Sequence, residues 1–520
     1  MTDFATRLPR NLYRAEQVRK LDQLAIEEFG FSGFSLMRTA AAVALNALLE
    51  KWPQTRHLQV FAGSGNNAGD GYIVAGLARE MGIGAQVIQV ADPQKLKGDA
   101  QQAWQWAQQV KVEMIAFADF DLTRATDHAH AVVVDSLLGT GLDRQVEGDY
   151  KAAIDHINAG SSPVLAIDIP SGLHADTGQA LGAAVVADLT VTFIGMKQGL
   201  LTNQGRDFIG ELIYHDLDVP DDLFTLDSAP LPAATRIDIN YASRYLLPRV
   251  GSSHKGSHGH VLVIGGDYSF AGAAIMAAEA ALRSGAGLVS VITRSSHRPA
   301  ILARRPEVMV LGTEDENPQL ESLIAKATAI VIGPGLGRGP WARQLMQSAL
   351  GAQVARDTPL IIDADALHLL AEKNQQGTGV KRDNWILTPH PGEAAALLDC
   401  SIADIQQDRF AAVRKLGATW GGVCLLKGSG SLICASEQQP QHVYLSSEGN
   451  AGMASAGMGD VLSGIVASFV AQGHPLQQSL CCAVCIHGEA ADLSMQANGQ
   501  RGMVATDLLP YIRQLVNPSI

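Results

Sequence analysis

Arg56 to Phe61 is followed by Ala62-Gly63-Ser64-Gly65-Asn66-Asn67-Ala68-Gly69-Asp70-Gly71, then by the amphipathic run Tyr72 to Met81 and the apolar run Ala85 to Val90. An extended run, a glycine turn, a helical period and a second extended run make the βαβ unit of a parallel, doubly wound sheet. The glycines read G-x-G-x-x-x-G-x-G. That is one residue longer between the second and third than the dinucleotide-binding fingerprint, with two adjacent asparagines inside. A plain glycine turn is the competing reading. Asn66, Asn67 and Asp70 bring oxygen atoms that suit a ligand or a hard cation.

The same grammar extends on both sides. Ala15 to Glu50 has helical periodicity with a break at Gly30-Phe31-Ser32-Gly33. Ala131 to Val134 leads into Asp135 and a glycine-containing loop, and Pro163 to Ile167 leads into Asp168-Ile169-Pro170-Ser171-Gly172. In open α/β sheets ligands bind beyond the carboxyl ends of the strands, so two strand-terminal aspartates beside glycine loops predict a shared pocket. Val185 to Phe193, followed by Gly195-Met196-Lys197, predicts a further strand. Asp216 to Asn240 is rich in Asp, Pro and Ala and reads as an interdomain linker.

Beyond it the alternation resumes. Val261 to Ile264, Leu288 to Thr293, Ala329 to Ile332, Leu360 to Ile362, Trp385 to Thr388 and Val423 to Leu426 read as strands. Polar or glycine-rich loops follow most of them, including Asp363-Ala364-Asp365, Pro389-His390-Pro391-Gly392-Glu393 and Lys427-Gly428-Ser429-Gly430-Ser431. The last loop offers an ammonium, open backbone and hydroxyls to a phosphate, without the order of a Walker A motif. His390 and Glu393, three apart, would share one pocket's edge if a helix begins there, and a helix cap in a proline turn is the competing reading of His390. Asp363 and Asp365 are equally readable as helix-start carboxylates.

Gly449 to Gly459 is a run of small residues that ends on Asp460 and continues as the apolar, helix-length Val461 to Val466. A glycine loop feeding a buried helix N-terminus makes an anion site from free N–H groups and the helix dipole. Asp460 would sit among those donors as a proton acceptor, or merely as a helix cap.

Composition sets the limits. A chain of 520 residues, 47% hydrophobic and 18% charged, suits two to four domains of about 150 residues with sizeable cores. A net charge of −13 argues against sequence-independent nucleic-acid binding, and 5% aromatic residues give few platforms for stacking bases. The six cysteines include Cys481, Cys482 and Cys485 in an apolar stretch. With no metal partners at ligand spacing, they read as buried reduced thiols of a cytosolic protein. Met1 to Arg7 lacks the apolar core of a signal peptide, and no run of about 18 apolar residues occurs. A soluble, cytoplasmic protein is expected, with no membrane partner.

On these motifs the first half resembles the epimerase domain of the NAD(P)H-hydrate repair family, the YjeF N-terminal type. The asparagine–glycine loop stands at 66–71, D-S-L-L-G-T-G-L at 135–142 and D-I-P-S-G at 168–172. The second half resembles the ribokinase-like dehydratase domain of the same family, related to hydroxyethylthiazole kinase. G-P-G-L-G stands at 333–337, P-H-P-G-E at 389–393, K-G-S-G-S at 427–431 and A-G-M-G-D-V-L-S-G at 456–464.

The resemblance implies an α/β chain of two domains: a Rossmann-like epimerase domain over 1–220, a linker over 221–238 and a ribokinase-like domain over 239–520. It implies repair of NADHX and NADPHX: epimerisation of the R and S forms, then dehydration of the S form at the expense of ADP, giving AMP and phosphate. In the first domain, substrate binding falls to Asn66, Asn67, Ala68, Gly69, Asp70, Gly139, Thr140, Gly141, Leu142, Asp143, Arg144, Gln145, Tyr150 and Asp168. Asp168 is also the candidate acid/base there. A potassium ion is implied near Asn67, Asp135 and Ser171. In the second domain the hydrate faces Ala273, Gly337, His390 and Asp460. The nucleotide is held by Lys427, Gly428, Ser429, Gly430, Ser431 and Gly459, with magnesium, and Asp460 is the general base. A homo-oligomer is expected. The rival is a kinase for a small hydroxymethyl compound carrying an N-terminal ligand-binding module.

Overall fold

The computed structural model describes residues 8–122, 130–316, 319–375, 377, 380–436 and 442–517; Met1 to Arg7 lies outside them. The chain divides between Thr235 and Arg236 into two compact units.

In the first unit a seven-stranded parallel sheet runs Glu113–Ala116, Gly84–Gln89, His57–Ala62, Ala131–Ser136, Val164–Ile167, Leu189–Phe193, Glu211–His215. Its central strands are buried on both faces, the condition under which a parallel sheet reads as a continuous apolar run. Leu58, Val60 and Ala62 enter one core, while Phe61 and Val133 enter the opposite one. The strand order reverses between His57–Ala62 and Ala131–Ser136, which opens a crevice beyond their carboxyl ends.

The break expected at 30–33 separates the helices Ala15–Phe29 and Gly33–Lys51. Gly30 ends the first at φ 73°, a conformation costly for other residues, and the Ser32 hydroxyl caps the second by accepting from the Ser35 N–H.

Residues 221–238 carry regular structure. Asp221–Thr225 is a short 3-10 turn that buries Leu223, and Ala234–Ile237 is a strand whose Ala234 pairs with Leu12. The polar average of the segment conceals these apolar anchors.

The second unit is a sheet ordered Met309–Gly312, Leu288–Thr293, His260–Ile264, Ala329–Ile332, Leu360–Ile362, Trp385–Leu387, Val423–Leu426, Ser431–Ala435, Val443–Ser446. It is parallel as far as Val423–Leu426, and the last two strands return antiparallel. The helix Met458–Ala471 is buried almost all round and packs on Ala271–Arg283. At Gly464 a Cβ would lie 2.1 Å from the Ala277 carbonyl oxygen, so only glycine permits this crossing. Cys481, Cys482 and Cys485 are buried free thiols on the helix Leu476–Asn498, within the unit's apolar core. Among the described residues no helix is long and apolar enough to cross a membrane.

Candidate functional sites

A cavity of about 530 Å³ occupies the crevice of the first unit. Asn66, Asn67, Asp70, Gly139 to Arg144, Tyr150 and Asp168 line it, so residues distant in sequence meet as the motifs predict. The helix begins at Asn66, earlier than its apolar period suggests, with Gly65 as the extended residue before it. The asparagines therefore stand on the first helical turn, among free N–H donors, rather than in a loop. Three expected contact residues do not line the cavity. Ala68 and Gly69 are buried in the helix, where a Cβ on Gly69 would meet Met37 Sδ at 2.6 Å, and Gln145 lies beside Gly182.

Beneath the cavity floor, Asp135 accepts from the Ser171 hydroxyl at 2.6 Å, the Ser171 N–H at 2.7 Å and the Leu137 N–H at 3.2 Å. Burial pushes its carboxyl up to about 6 against those hydrogen bonds. Asn67 Nδ2 donates to the Leu138 carbonyl at 2.9 Å, whereas Asn67 Oδ1 is buried without a hydrogen-bond partner. An orphaned amide oxygen beside a peptide carbonyl, a hydroxyl and a carboxylate is an all-oxygen set, and it fits a hard monovalent cation.

Asp168 follows the strand Val164–Ile167 at φ 68°, a left-handed conformation that Asp tolerates better than most residues. Its Oδ1 accepts from Lys197 Nζ, and from the Thr192 hydroxyl at 3.3 Å. Lys197 is 1% exposed and also donates to Thr192 Oγ1 and the Phe193 carbonyl. The turn at Ile194-Gly195 after Leu189–Phe193 carries it back to this point. Asp22, from the helix Ala15–Phe29, and Asp70 line the same cavity. Sequence reasoning left Asp22 and Lys197 without roles. Asp22 sits in an ordinary amphipathic helix, and Lys197 gives no motif of its own.

In the second unit three adjacent strand ends converge. Asp363 follows Leu360–Ile362, Thr388 follows Trp385–Leu387 and Lys427 follows Val423–Leu426. Lys427 Nζ donates to Asp363 Oδ1 at 2.8 Å and lies 3.8 Å from Glu393 Oε2. The Ser463 hydroxyl donates to Asp363 Oδ2 at 2.7 Å. Lys427 is thus partly neutralised within the protein, rather than free as its motif suggests. Asp363 is a buried ion-pair partner rather than a helix-start carboxylate. His390 caps the helix Pro391–Leu398: its Nδ1 accepts from the N–H groups of Gly392 and Glu393, and its Nε2 lies 3.3 Å from Glu393 Oε1.

Gly457, at φ 91°, turns the chain into Met458–Ala471, whose first turn holds Gly459 and Asp460. A Cβ on Gly459 would stand 3.4 Å from Lys427 Nζ and 3.6 Å from Asp363 Oδ2, so the helix N-terminus abuts the ion pair. Burial pushes the Asp460 carboxyl up to about 7, with the negative charges of Asp363, Asp365 and Glu393 adding to it and Lys427 opposing. Among the described residues its side chain takes part in no hydrogen bond or salt bridge. Asp365 accepts from the Gly337 N–H at 2.9 Å, and Ala273 packs beside Gly335, which brings both expected substrate contacts to this edge. Arg409, 1% exposed, donates to the carbonyls of Leu426, Lys427 and Gly430, bracing the Lys427–Ser431 turn from behind. Nothing in the local sequence pattern marks that arginine.

Two family models match the chain: YjeF-related protein N-terminus over residues 33–199 and NAD(P)H-hydrate dehydratase over residues 261–514. A bifunctional NAD(P)H-hydrate repair enzyme of Coxiella burnetii is 42% identical, over 98% of this chain and 99% of that one. Another, of Escherichia coli K12, is 39% identical over 99% and 95%. A solved Bacillus subtilis protein, described as an ADP/ATP-dependent NAD(P)H-hydrate dehydratase co-crystallised with ATP and Mg2+, is 26% identical. It covers 53% of this chain and 95% of its own, with a TM-score of 0.45.

Proposed function

The chain belongs to the bifunctional NAD(P)H-hydrate repair enzymes, and from that premise we propose which of its residues epimerise the hydrates and which remove the water. The first unit interconverts the R and S hydrates of NADH and NADPH, and the second returns the S hydrate to the reduced cofactor. Asp168 carries a proton in the first reaction and Asp460 in the second.

The observation that carries the second assignment is the unpartnered Asp460 carboxyl on the first turn of a buried helix, beside Lys427 and Asp363. Hydroxide leaves poorly. Asp460 takes the proton of the hydrate's hydroxyl as that oxygen attacks the terminal phosphoryl of ADP. The N–H groups at Gly457 to Gly459 hold the transferring group at the positive end of the helix. The ring nitrogen then donates its lone pair, and phosphate departs with the C–O electrons to leave an iminium. The adjacent ring carbon gives up a proton to water, and its C–H electrons restore the C=C bond of the dihydronicotinamide. AMP and phosphate are the other products. Lys427 to Ser431 hold the nucleotide, with Arg409 fixing their backbone, and Ala273, Gly337 and His390 border the hydrate.

Magnesium would neutralise phosphate charge when bound. In the first unit, potassium would be held by Asn67 Oδ1, Asp135 and Ser171 and would fix the loop at Gly139 near the substrate. The protein works in the cytoplasm, on NADHX and NADPHX, as a homo-oligomer without nucleic-acid or membrane partners.

The test follows the return of dihydronicotinamide absorbance from mixed R and S hydrated NADH, with magnesium and either ADP or ATP. Complete recovery with ADP is expected. Recovery that stops at the S fraction removes the epimerase assignment. Accumulation of a stable phosphorylated product replaces the dehydratase with a kinase.

A further inference from the structure

We propose that Asp22 is a second catalytic residue of the epimerase cavity, exchanging a proton with the substrate hydroxyl near the Asp168–Lys197 pair; this rests on the epimerase reading of that cavity.

The carboxyls around the crevice divide by how they are used. Asp135 is consumed by Ser171 and Leu137, and Asp168 accepts from Lys197 and Thr192. Asp22 and Asp70 line the open volume and, among the described residues, receive no hydrogen bond. Both carboxyls are half-buried and face the cavity, where a bound substrate can reach them. Asp70 lies in the helix that carries the substrate-binding asparagines. Asp22 comes from a separate helix, Ala15–Phe29, outside the matched stretch 33–199, whose Val18 and Leu21 pack on the Gly195 turn leading to Lys197.

The charge environment agrees. Burial pushes the Asp22 carboxyl up to about 6, with Lys197 opposing and Asp168 adding. Asp22 therefore keeps its proton to a higher pH than an ordinary carboxyl, near the Asp168 oxygen that accepts from Lys197. One carboxyl that donates a proton and one that accepts it are the usual division into acid and base.

Epimerisation needs that division. Asp22 gives its proton to the hydroxyl on the ring carbon next to nitrogen. The C–O bond breaks, its electron pair leaves with water, and the nitrogen lone pair forms the C=N bond of an iminium. A water then attacks from the opposite face, its oxygen forms the new C–O bond, the π pair returns to nitrogen, and Asp168 takes the released proton. One proton has moved from Asp22 to Asp168. The reverse epimerisation returns it with the roles exchanged, and successive turnovers in one direction return it through cavity water. Lys197 is a positioning residue: it orients Asp168 and touches no reacting atom.

The experiment measures R-to-S conversion of hydrated NADPH by the full chain without nucleotide, for Asp22→Asn, Asp22→Glu and Asp168→Asn. The proposal expects Asp22→Asn to lower kcat by about 100-fold or more, with KM within a few-fold of the parent and S-hydrate dehydration unchanged. Asp22→Glu, which keeps the ionisable group, recovers a substantial part of kcat. Full kcat in Asp22→Asn overturns the proposal while Asp168→Asn is impaired, and leaves the epimerase reading standing. Full kcat in both asparagine variants overturns that reading as well. If Asp22→Asn and Asp22→Glu are both inactive and neither binds NADP+, the carboxyl serves the fold and the proposal fails.

Discussion

Lys427 Nζ is 2.8 Å from Asp363 Oδ1, and the Asp460 carboxyl beside this ion pair has no partner among the described residues. One cation thus separates the two acids. Burial pushes Asp363 up, but the charge and hydrogen bond of Lys427, with the hydroxyls of Ser463 and Thr388, hold it below its ordinary range. Asp460 is pushed up to about 7. Environments that drive neighbouring carboxyls apart mark which one exchanges protons.

The dehydration rate should follow the ionisation of Asp460. A base works only when ionised, so kcat is low below pH 7, rises through it and levels above. Asp460→Asn removes the proton acceptor with little change of volume and should cost roughly 10²–10⁴-fold in dehydration, while R-to-S epimerisation is untouched. Rate profiles of the parent and of Asp460→Asn between pH 5 and 9 check both parts, and a parent profile flat across that range contradicts the assignment.

The same carboxyl makes stability depend on pH. Its folded pKa is raised from 3.8 to about 7, so between those values the folded state holds more protons than the unfolded one. Stability therefore falls as pH rises through this window and the group is forced to ionise in place. Asp460→Asn abolishes the penalty. Its melting temperature should exceed the parent's by about 3 °C or more at pH 8, and the gap should close at pH 4. Calorimetry at the two pH values decides it; an equal gap at both traces the effect to packing instead.

Periodicity and glycine placement made the architecture legible: Asp168, Asp363 and Lys427 each follow the last residue of a strand as expected, while the strand expected to end before Asp135 runs on through it to Ser136. Partnership was not legible. Lys427 reads as a free phosphate ligand in its own loop, and only the pairing of distant strands reveals that Asp363 already holds it. Asp22, Lys197 and Arg409 escaped for the same reason: each sits in an unremarkable local pattern and acquires its meaning from a segment far along the chain. The helix start at Asn66 is not legible in the sequence because glycines and asparagines carry little helical signal. The structure begins the helix there nonetheless, since the residues at 69 and 71 must be small: a Cβ on Gly71 would come within 2.1 Å of Ser136 Oγ.

Breaking the Lys427–Asp363 pair from one side should hurt more than removing both charges. Lys427→Met leaves a carboxylate, 2% exposed, without its cation and should destabilise the second unit by about 3 kcal/mol or more. Asp363→Asn in the same chain should recover much of that loss while dehydration stays absent. Urea unfolding of the two single variants and the double variant gives the coupling, and strictly additive effects would show the pair to be energetically silent.

The orphaned Asn67 oxygen predicts an ion requirement in the first unit alone. Exchanging potassium for choline should slow epimerisation and leave S-hydrate dehydration unchanged when magnesium is kept constant. Asn67→Ala, which deletes the oxygen, should raise the potassium concentration for half-maximal epimerisation by about tenfold. Titrating the epimerisation rate with potassium in both proteins checks this. An identical half-maximal concentration would remove Asn67 from the ion's shell.

The proposed anion site at Gly457 to Asp460 depends on how closely its helix approaches Ala271–Arg283. At Gly464 a Cβ would stand 2.1 Å from the Ala277 carbonyl oxygen and 2.9 Å from Ala280 Cβ, contacts that backbone cannot relieve without moving a whole helix. Gly464→Ala should therefore destabilise the second unit by about 1–3 kcal/mol. It should also lower dehydration beyond the fraction unfolded, because displacing Met458–Ala471 carries Gly459 and Asp460 away from Lys427. Denaturant midpoints and dehydration kcat at a temperature where the variant is fully folded separate the two effects. A normal kcat in a destabilised protein would mean that the helix yields at its far end and the anion site keeps its place.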